Sequence, residues 1–255
     1  MQSLPIAADV PDNMPAMLRT TTAVALWLAA AACGAAEFSV TPIRLDMAPG
    51  MRSAAVTVVN DDEQPLRLQL KLMEWTQDAS GLDVYTESDE LVYFPKLMSV
   101  QPKDRRLVRI GLKAPAGGSE RTYRLLLDEL PEMARPGASG LSFTVRFALP
   151  IFLPAAESHP RGAIESIALE DGRLRVAVKN TGNQNFRITS LAVQSATGFA
   201  AELAGWYLLP GAHRTHTIEI PAQACRSLRR LEVTVKTDKL SLEGGLDVEP
   251  RMCSR

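Results

Sequence analysis

The residue types that most often catalyse reactions or bind metals are sparse in this sequence and poorly placed for either role. Its three histidines are His159, His213 and His216. The last two lead into a predicted strand, where residues three apart face opposite sides of the sheet. No set of cysteines and histidines has zinc-site spacing. The neighbouring carboxylates of Asp128 and Glu129 also face opposite sides of a strand, so they cannot share a substrate as an acid–base pair. These residues indicate no enzyme, no metal and no cofactor.

Two further chemical signatures are missing from the sequence. No serine lies in a Gly-x-Ser-x-Gly turn, which many hydrolases use to present their nucleophile. Gly117 and Gly118 lack the lysine and the following helix of a phosphate-binding loop. With 28 basic and 29 acidic side chains the formal net charge is −1, so nucleic acid is not expected as a main partner. We therefore expect a binding protein, and a hydrolase is the least favoured class.

The strongest positive signal is an alternating stretch at residues 141–149. Its large apolar side chains fall on one face, as in a β-strand with one apolar side. They are Leu141, Phe143, Val145 and Phe147. The preceding residues 132–140 contain glycine and proline and have the composition of a flexible loop. Such a strand predicts an edge that another protein can pair with, although the part near Leu149 and Ile151 must pack into the chain's own core.

The elements that must position this strand are themselves short strands. Residues 66–72 place leucine at every second position, which a strand puts on one face and a helix would scatter around its axis. Segments containing proline separate the predicted strands, a pattern typical of an all-β sandwich. We predict two Ig-like β-sandwich domains with a cleft between them, at residues 37–154 and 155–255. The second begins with a short linker that contains proline.

The first 36 residues contain the pattern of a secretory signal peptide. Arg19 precedes the apolar run 23–32, and small residues follow up to Ala36. The run is too short for a comfortable transmembrane helix, so we expect cleavage near Ala36, export to the periplasm and no stable membrane insertion. An uncleaved anchor is the alternative. Residues 1–16 fit no part of a signal, and translation is expected to start at Met14 or Met17.

The predicted export bears on the pairing of the three cysteines. Cys33 lies in the predicted leader, where a lipoprotein attached at this residue is a second alternative. Cys225 and Cys253 remain in the exported chain, and an oxidising compartment favours a disulfide between them over two free thiols. The bridge would close a loop of under about 30 residues and stabilise the second domain by roughly 3 kcal/mol.

Four segments resemble the PapD-like periplasmic chaperones of the chaperone–usher pathway of pilus assembly. They are residues 56–75, 94–110, 123–131 and 141–154. Each motif alone is weak, but four in the family's order behind a signal peptide are specific. The resemblance covers residues 38–154 well, and from residue 160 onward it rests mainly on architecture.

The resemblance implies a mechanism without catalysis. Such a chaperone binds pilin or fimbrial subunits whose Ig-like core lacks one strand, and it lends an edge strand that completes the core. It then delivers the subunit to an outer-membrane usher, where the next subunit's own extension replaces the lent strand. The matching donor residues are Leu141, Phe143, Val145 and Phe147.

The resemblance also implies that two cations in the cleft hold the subunit's C-terminal carboxylate. Arg44 matches the family's arginine in the first strand; a solvent-facing arginine on an edge strand is the alternative. The second cation is usually a lysine near the end of the donor strand, and here that position is Leu149. Arg146 is nearby but on the opposite pleat, so either Arg146 substitutes through a bulge or this chain anchors its subunit differently. The departure points to a divergent branch, such as the one serving spore-coat-U-type pilins.

The main alternative function is a secreted Ig-like structural or adhesive module without chaperone activity. Such a module would have closed sheet edges and no need for Arg44 or for the apolar strand. The sequence leaves open which subunit is the client and whether the free chain self-associates to hide its strand.

Overall fold

The computed structural model describes residues 37–48, 50–113, 117–131 and 143–253. These residues form two β-sandwiches, as the alternating patterns predict, with one short α-helix and one 3-10 helix. The leader expected at residues 1–36 and the start sites expected at Met14 and Met17 lie outside the described residues. Within the described ranges, no helix is long and apolar enough to cross a membrane.

The first sandwich is built from the strands that precede residue 154. They are β1 (Phe38–Thr41), β2 (Leu45–Asp46), β3 (Ser53–Asn60), β4 (Leu66–Gln77), β5 (Asp83–Glu87), β6 (Leu91–Phe94), β7 (Leu97–Val100), β8 (Arg105–Leu112), β9 (Arg121–Glu129) and β10 (Arg146–Leu153). One sheet has the order β1-β3-β8-β6, and the other has the order β2-β10-β9-β4-β5, with β7 also paired to β4. Because β1 and β2 belong to opposite sheets, the chain crosses between the sheets at residues 42–44.

The core of the first sandwich follows from period-two alternation in its central strands. In β4 the four leucines at positions 66, 68, 70 and 72 are each at most 5% exposed. The facing sheet supplies valine and isoleucine from β3 and β8. Each such side chain contributes about 1.5–3 kcal/mol when it leaves water, so this alternation fixes which face of each strand points inward.

The second sandwich lies after the predicted boundary. Its strands are β11 (Gly162–Glu170), β12 (Arg173–Asn180), β13 (Phe186–Gln194), β14 (Ala200–Leu203), β15 (Tyr207–Leu208), β16 (His213–Glu219), β17 (Arg230–Thr237) and β18 (Ser241–Asp247), with helix α1 (Ala222–Ser227) and a 3-10 helix (Pro250–Cys253). One sheet has the order β11-β12-β16, and the other has β14-β13-β17-β18 with β15 paired to β13. His213 and His216 both lie in β16, three residues apart and therefore on opposite faces.

A buried asparagine stands at the same place in each sandwich. Asn60 ends β3 and Asn180 ends β12, and each is at most 1% exposed. Each side-chain Nδ2 donates to the carbonyl four residues ahead at 2.8 Å, and each Oδ1 accepts the N–H two residues ahead. Nδ2 also donates to a facing carbonyl, that of Val100 or Leu208. An asparagine therefore stabilises the equivalent turn in each sandwich by the same hydrogen bonds. The two sandwiches share this architecture although their sequences show no evident repeat.

The disulfide predicted between Cys225 and Cys253 is present. It joins helix α1 to the 3-10 helix at the end of the described chain, with a sequence separation of 28 between its cysteines and 5.6 Å between their Cα atoms. Both side chains belong to the core of the second sandwich. The bridge thus ties the C-terminal segment to the core and, by limiting the unfolded chain, stabilises it by roughly 3 kcal/mol.

The strand predicted at residues 141–149 is displaced in the structure. β10 begins at Arg146 and continues to Leu153, so it ends four residues beyond the prediction. Residues 143–145 are not in a regular strand, and Leu141 lies outside the described residues. The physical reason is the partner strand: β9 ends at Glu129, which lies opposite residue 145, and beyond it no ladder is available for pairing.

Candidate functional site

Strand β10 is paired on one side along its whole length but on the other side only near its end. Its antiparallel ladder with β9 runs from Arg146 to Leu153. Its parallel ladder with β2 includes only Ile151 and Phe152. Among the described residues, no strand pairs with the outer edge of residues 146–149. The first half of β10 is therefore an open sheet edge.

The register identifies the backbone groups at this open edge. The N–H of Glu129 donates to the carbonyl of Val145 at 3.0 Å, so odd-numbered residues point toward β9 and even-numbered residues point outward. The carbonyl of Phe152 confirms the alternation, since it accepts the N–H of Met47 on the outer side at 2.9 Å. Arg146 and Ala148 therefore present N–H and C=O groups to the open edge, and Pro150 ends the row of donors because it has no N–H.

The predicted donor side chains change from exposed to buried along the segment. Phe143 is 74% exposed and Val145 is 38% exposed. Phe147 is half-buried and packs against the first core, while Leu149 is fully buried within it. The apolar face thus begins in solvent and ends in the chain's own core, as expected near Leu149 and Ile151.

Leu149 faces the core rather than the cleft. It lies opposite Leu125 in the β9–β10 ladder, and both side chains are 0% exposed. The next residue, Pro150, points to the other face of the sheet and lies opposite Arg124. A positive charge at Leu149 would be buried among apolar side chains without a partner. Next to Pro150, the cation on the cleft face is Arg124 of the neighbouring strand β9.

Arg146 is engaged in a salt bridge at the surface. Its Nε and Nη2 donate to the two carboxylate oxygens of Asp128 at 2.5 and 3.1 Å, and its side chain is 65% exposed. It lies six residues before Phe152, about 20 Å along an extended strand. Arg44 lies over the ring of Phe152, with 4.4 Å between its Cζ and the ring centroid. The structure therefore does not bring the two arginines expected at the anchor together.

Arg44 lies beside the cleft between the two sandwiches. Its Nε and Nη2 donate to Asp46 at 2.7 and 2.8 Å, and its Nη1 is 3.6 Å from a carboxylate oxygen of Asp238 in the second sandwich. Its guanidinium also faces the ring of Tyr207 at 5.5 Å. Burial alone would lower the pKa of Arg44, but the Asp46 carboxylate raises it above its usual value.

Arg124 is a second cation in this region and is more deeply buried. It is 4% exposed, and its Nη1 donates to the carbonyl of Ala148 at 3.1 Å. Its guanidinium stacks on Trp75 with 3.8 Å from Cζ to the ring centroid, and it lies 5.5 and 5.9 Å from the rings of Trp206 and Tyr207. Burial lowers the pKa of Arg124, and neighbouring Tyr85 and Asp83 oppose that shift; the guanidinium is charged at neutral pH.

A cleft of about 430 Å³ opens beside Arg124. Its walls come from both sandwiches and are mostly apolar or aromatic, with two arginines; they include Ile43, Arg124, Pro150, Arg187, Trp206 and Tyr207. Ile43 is 72% exposed at the crossing between β1 and β2. The cleft thus combines an apolar rim with a buried positive charge, a combination suited to an anionic group carried on an apolar chain.

Hydrogen bonds between the sandwiches hold the walls of this cleft in place. Gln77 donates to the carbonyl of Tyr207 at 2.9 Å and accepts the N–H of Leu209 at 3.0 Å. The Trp206 indole donates to Asp83 at 2.9 Å. At Gly81, which has φ of +77°, a Cβ would lie 2.3 Å from a backbone oxygen of the second sandwich, so only glycine fits this close approach.

A buried carboxylate completes the contact between the sandwiches. Glu120 is 8% exposed, and its Oε1 accepts the backbone N–H and the side-chain Nδ2 of Asn185 at 2.8 and 2.7 Å. Burial raises the pKa of Glu120, although the bonds from Asn185 and the charge of Lys239 oppose the shift. Since the folded-state pKa is raised, this group favours the folded chain most when protonated, and that contribution is lost as pH rises through the folded-state pKa.

Sequence reasoning placed Arg124 in a motif but assigned it no role. The available signal was a cation flanked by Tyr123 and Leu125 within a strand, since such a position needs a partner or a solvated cleft. Arg44, by contrast, was selected by its match to the first-strand arginine of the family. The missing information was the pairing of Arg124 with Pro150, which depends on the register of β10.

Comparison with known proteins gives one family match and many similar folds. Residues 37–156 match the family model described as "Pili and flagellar-assembly chaperone, PapD N-terminal domain". No curated protein sequence matches the chain.

Three solved structures illustrate the similarity in fold. A chain in the CsuC–CsuE chaperone–tip adhesion subunit pre-assembly complex, from archaic chaperone–usher Csu pili of Acinetobacter baumannii, has a TM-score of 0.61 and 20% identity over 81% of this chain and 98% of that chain. The class 5 fimbriae chaperone CfaA has a TM-score of 0.55 and 13% identity over 84% and 100% of the two chains. A chain in the Salmonella enterica complex of SafA pilin with the SafB chaperone has a TM-score of 0.52 and 16% identity over 84% and 99%. At these identities the likeness shows the fold alone.

Proposed function

Through residues 37–156 the chain belongs to the family of pili and flagellar-assembly chaperones with a PapD N-terminal domain, and from this premise we propose that it is a periplasmic chaperone for pilus or fimbrial subunits. It caps an incomplete subunit by donor-strand complementation and delivers it to an outer-membrane usher. Solved neighbours in fold include chaperones bound to a tip adhesion subunit and to a pilin, which supports subunits of this kind as clients.

One observation carries the proposal: the open edge of β10 adjoins an exposed apolar face. The edge offers the backbone groups of Arg146 and Ala148, and the face offers Phe143 and Val145. A subunit strand paired there would form ladder hydrogen bonds with β10, and alternate side chains of the donated segment would fill the groove of the subunit. A structural or adhesive module would instead be expected to close or cover this edge.

The proposed donor residues are the four that the sequence selected. Phe143 and Val145 are free to enter a subunit, and Phe147 does so only with the part of its surface that the first core leaves uncovered. Leu141 is proposed from the alternation alone, since it lies outside the described residues.

The proposed anchor for the subunit's C-terminal carboxylate includes Arg44. It lies beside the cleft against the rings of Phe152 and Tyr207, and an incoming carboxylate would compete with Asp46 and Asp238 for its N–H groups. Arg146 could join the anchor only by releasing Asp128 and crossing to the other side of the strand.

The proposed function is tested by co-expression in the periplasm. A small secreted pilin-type subunit encoded beside this gene is produced with the chain, without it, and with an unrelated secreted Ig-like domain. We expect soluble subunit to accumulate at least about tenfold more with the chain and to co-purify with it, because an open subunit core aggregates or is degraded. Equal accumulation in all three cells would contradict the proposed function.

A further inference from the structure

The neighbouring carboxylates of Asp128 and Glu129 lie at the end of β9, opposite the start of the donor strand. Their order along β9 excludes them as an acid–base pair, and the proposed function gives them no role. Both are nevertheless engaged, since Glu129 bonds Val145 and Asp128 bonds Arg146, where β10 begins. The pair therefore holds the two residues at which the exposed donor segment joins the ordered sheet.

Glu129 closes the last pair of the β9–β10 ladder with its side chain. Its N–H donates to the carbonyl of Val145 at 3.0 Å, as in a regular antiparallel pair. The return bond is different, because the N–H of Val145 donates to Oε2 of the Glu129 carboxylate at 2.9 Å. A regular pair would use the backbone carbonyl there, and a charged acceptor makes the stronger bond. Both backbone groups of Val145 are thus bonded by one residue of β9.

Asp128 holds the next residue, Arg146, through its side chain. The two residues lie opposite each other between ladder pairs that exchange backbone bonds, so the N–H and C=O of Arg146 point to the open edge rather than to β9. The guanidinium reaches back and donates to both carboxylate oxygens of Asp128 at 2.5 and 3.1 Å. The residue whose backbone faces the open edge is therefore tied to β9 by an ion pair.

These contacts favour a single register of β10. A shift by one residue would turn Pro150 toward β9, where it has no N–H to donate, and would move the exposed donor side chains to the opposite face of the strand. A shift by two residues would keep the faces but would place Thr144 or Ala148 opposite Asp128, and neither carries a charge. Pro150 thus disfavours odd shifts, and the ion pair of Asp128 disfavours even ones.

We propose that Asp128 and Glu129 act as a register clamp that fixes the start of β10 before a subunit binds. This inference rests on the proposed function. With Val145 held, the exposed Phe143 lies two residues before it and falls on the same face, which is also that of Phe147. The clamp lowers the conformational entropy that the donor segment loses on binding. Both carboxylates are positioning residues, since they act through β10.

Amide hydrogen exchange in the free chain tests the clamp without a subunit. In Glu129→Ala the N–H of Val145 loses its acceptor, and we expect it to exchange at least about fivefold faster than in the wild type. Glu129→Gln, whose amide oxygen can accept the same bond, should restore most of the protection. The N–H of Leu149, deeper in the same ladder, should be unchanged in both variants. Equal exchange of Val145 in Glu129→Ala and in the wild type would overturn the clamp.

The ion pair has its own test by charge exchange. Asp128→Arg places a second cation opposite Arg146 and should lower the amount of subunit that co-purifies from the periplasm by about fivefold. The double variant Asp128→Arg with Arg146→Asp restores opposite charges across the same pair and should recover most of the subunit. Unchanged binding by Asp128→Arg, or no recovery in the double variant, would remove the ion pair from the clamp.

Co-purification also shows what Glu129 does for binding. Glu129→Ala should hold about fivefold less subunit than the wild type, because binding must then order the start of β10 as well. Glu129→Gln should hold nearly as much as the wild type. The matched control is Glu87→Ala, which removes an exposed carboxylate of β5 at the far edge of the same sheet and should leave the amount unchanged.

The outcomes separate this inference from the proposed function. If the wild type and Glu129→Ala hold equal amounts of subunit, the clamp is wrong but the chaperone stands. If the wild type holds no subunit, the proposed function is wrong and the inference falls with it, whatever the exchange rates show. Circular dichroism checks that each variant has the wild-type fold.

Discussion

A chain carrying Phe143→Glu and Val145→Glu will fold as the wild type does but will hold at least about tenfold less subunit. The two side chains are exposed in the free chain, so their replacement removes little from its own core. In the complex they would be buried, where each contributes about 1.5–3 kcal/mol, and an unpaired buried carboxylate costs still more. The measurement is the amount of subunit that co-purifies from the periplasm.

The matched control for this pair is Phe94→Glu. Phe94 is 74% exposed, as is Phe143, but it lies on β6 in the other sheet. It should retain wild-type amounts of subunit. If the Phe143 and Val145 double variant also retains them, these side chains do not enter the subunit and the donor assignment is wrong.

Arg44→Ala will lower co-purified subunit by about tenfold or more. The residue offers a charged donor beside the cleft, and a hydrogen bond to a charged group contributes about 1.5–3 kcal/mol. The loss should be smaller for Arg44→Lys, which keeps the charge but not the planar fork. Affinity for purified subunit, measured by calorimetry, gives the effect directly.

The neighbouring Asp46 distinguishes binding by Arg44 from a structural role. In the free chain Asp46 occupies the Nε and Nη2 of Arg44, so it competes with any incoming carboxylate. Asp46→Ala should therefore hold subunit as well as the wild type or better. If Asp46→Ala weakens subunit binding as much as Arg44→Ala does, the pair serves the fold and Arg44 is not part of the anchor.

The fold was largely predictable from the sequence because its cores are built from strict alternation. The alternating leucines of residues 66–72 and the alternating valines of β12 and β17 indicate directly which face of each strand points into the core. The strands that were not predicted are mostly short or carry exposed side chains. β5 is exposed at nearly every position, and the apolar alternation of β18 is interrupted by two adjacent glycines.

The bounds of the candidate site were harder to predict, since they depend on pairing between distant segments. The alternation at residues 141–149 is genuine, but a regular strand forms only where β9 is opposite, and this moves its start to Arg146. The same register puts Leu149 in the core and turns Pro150 toward Arg124. Counting along β10 alone could not show which residue of β9 lies opposite Pro150.

The disulfide was predictable for a different reason. The two cysteines that remain in an exported chain offer a single intramolecular pairing, so export alone favoured it over two free thiols. The contact between the sandwiches was not predictable in this way. It depends on hydrogen bonds between Glu120 and Asn185 and between Gln77 and the backbone carbonyl of Tyr207. These are ordinary polar residues, and their types and spacing in the sequence do not indicate which distant residues they bond.

The most direct test of strand donation is amide hydrogen exchange in the free and subunit-bound chain. The N–H groups of Arg146 and Ala148 face the open edge, so they should exchange rapidly in the free chain and at least about 100-fold more slowly in the complex. The N–H of Phe147 points toward β9 and should change much less. Protection of Arg146 and Ala148, with the N–H of Phe147 nearly unchanged, is the result that strand pairing predicts. Rapid exchange at both residues in a saturated complex would contradict it.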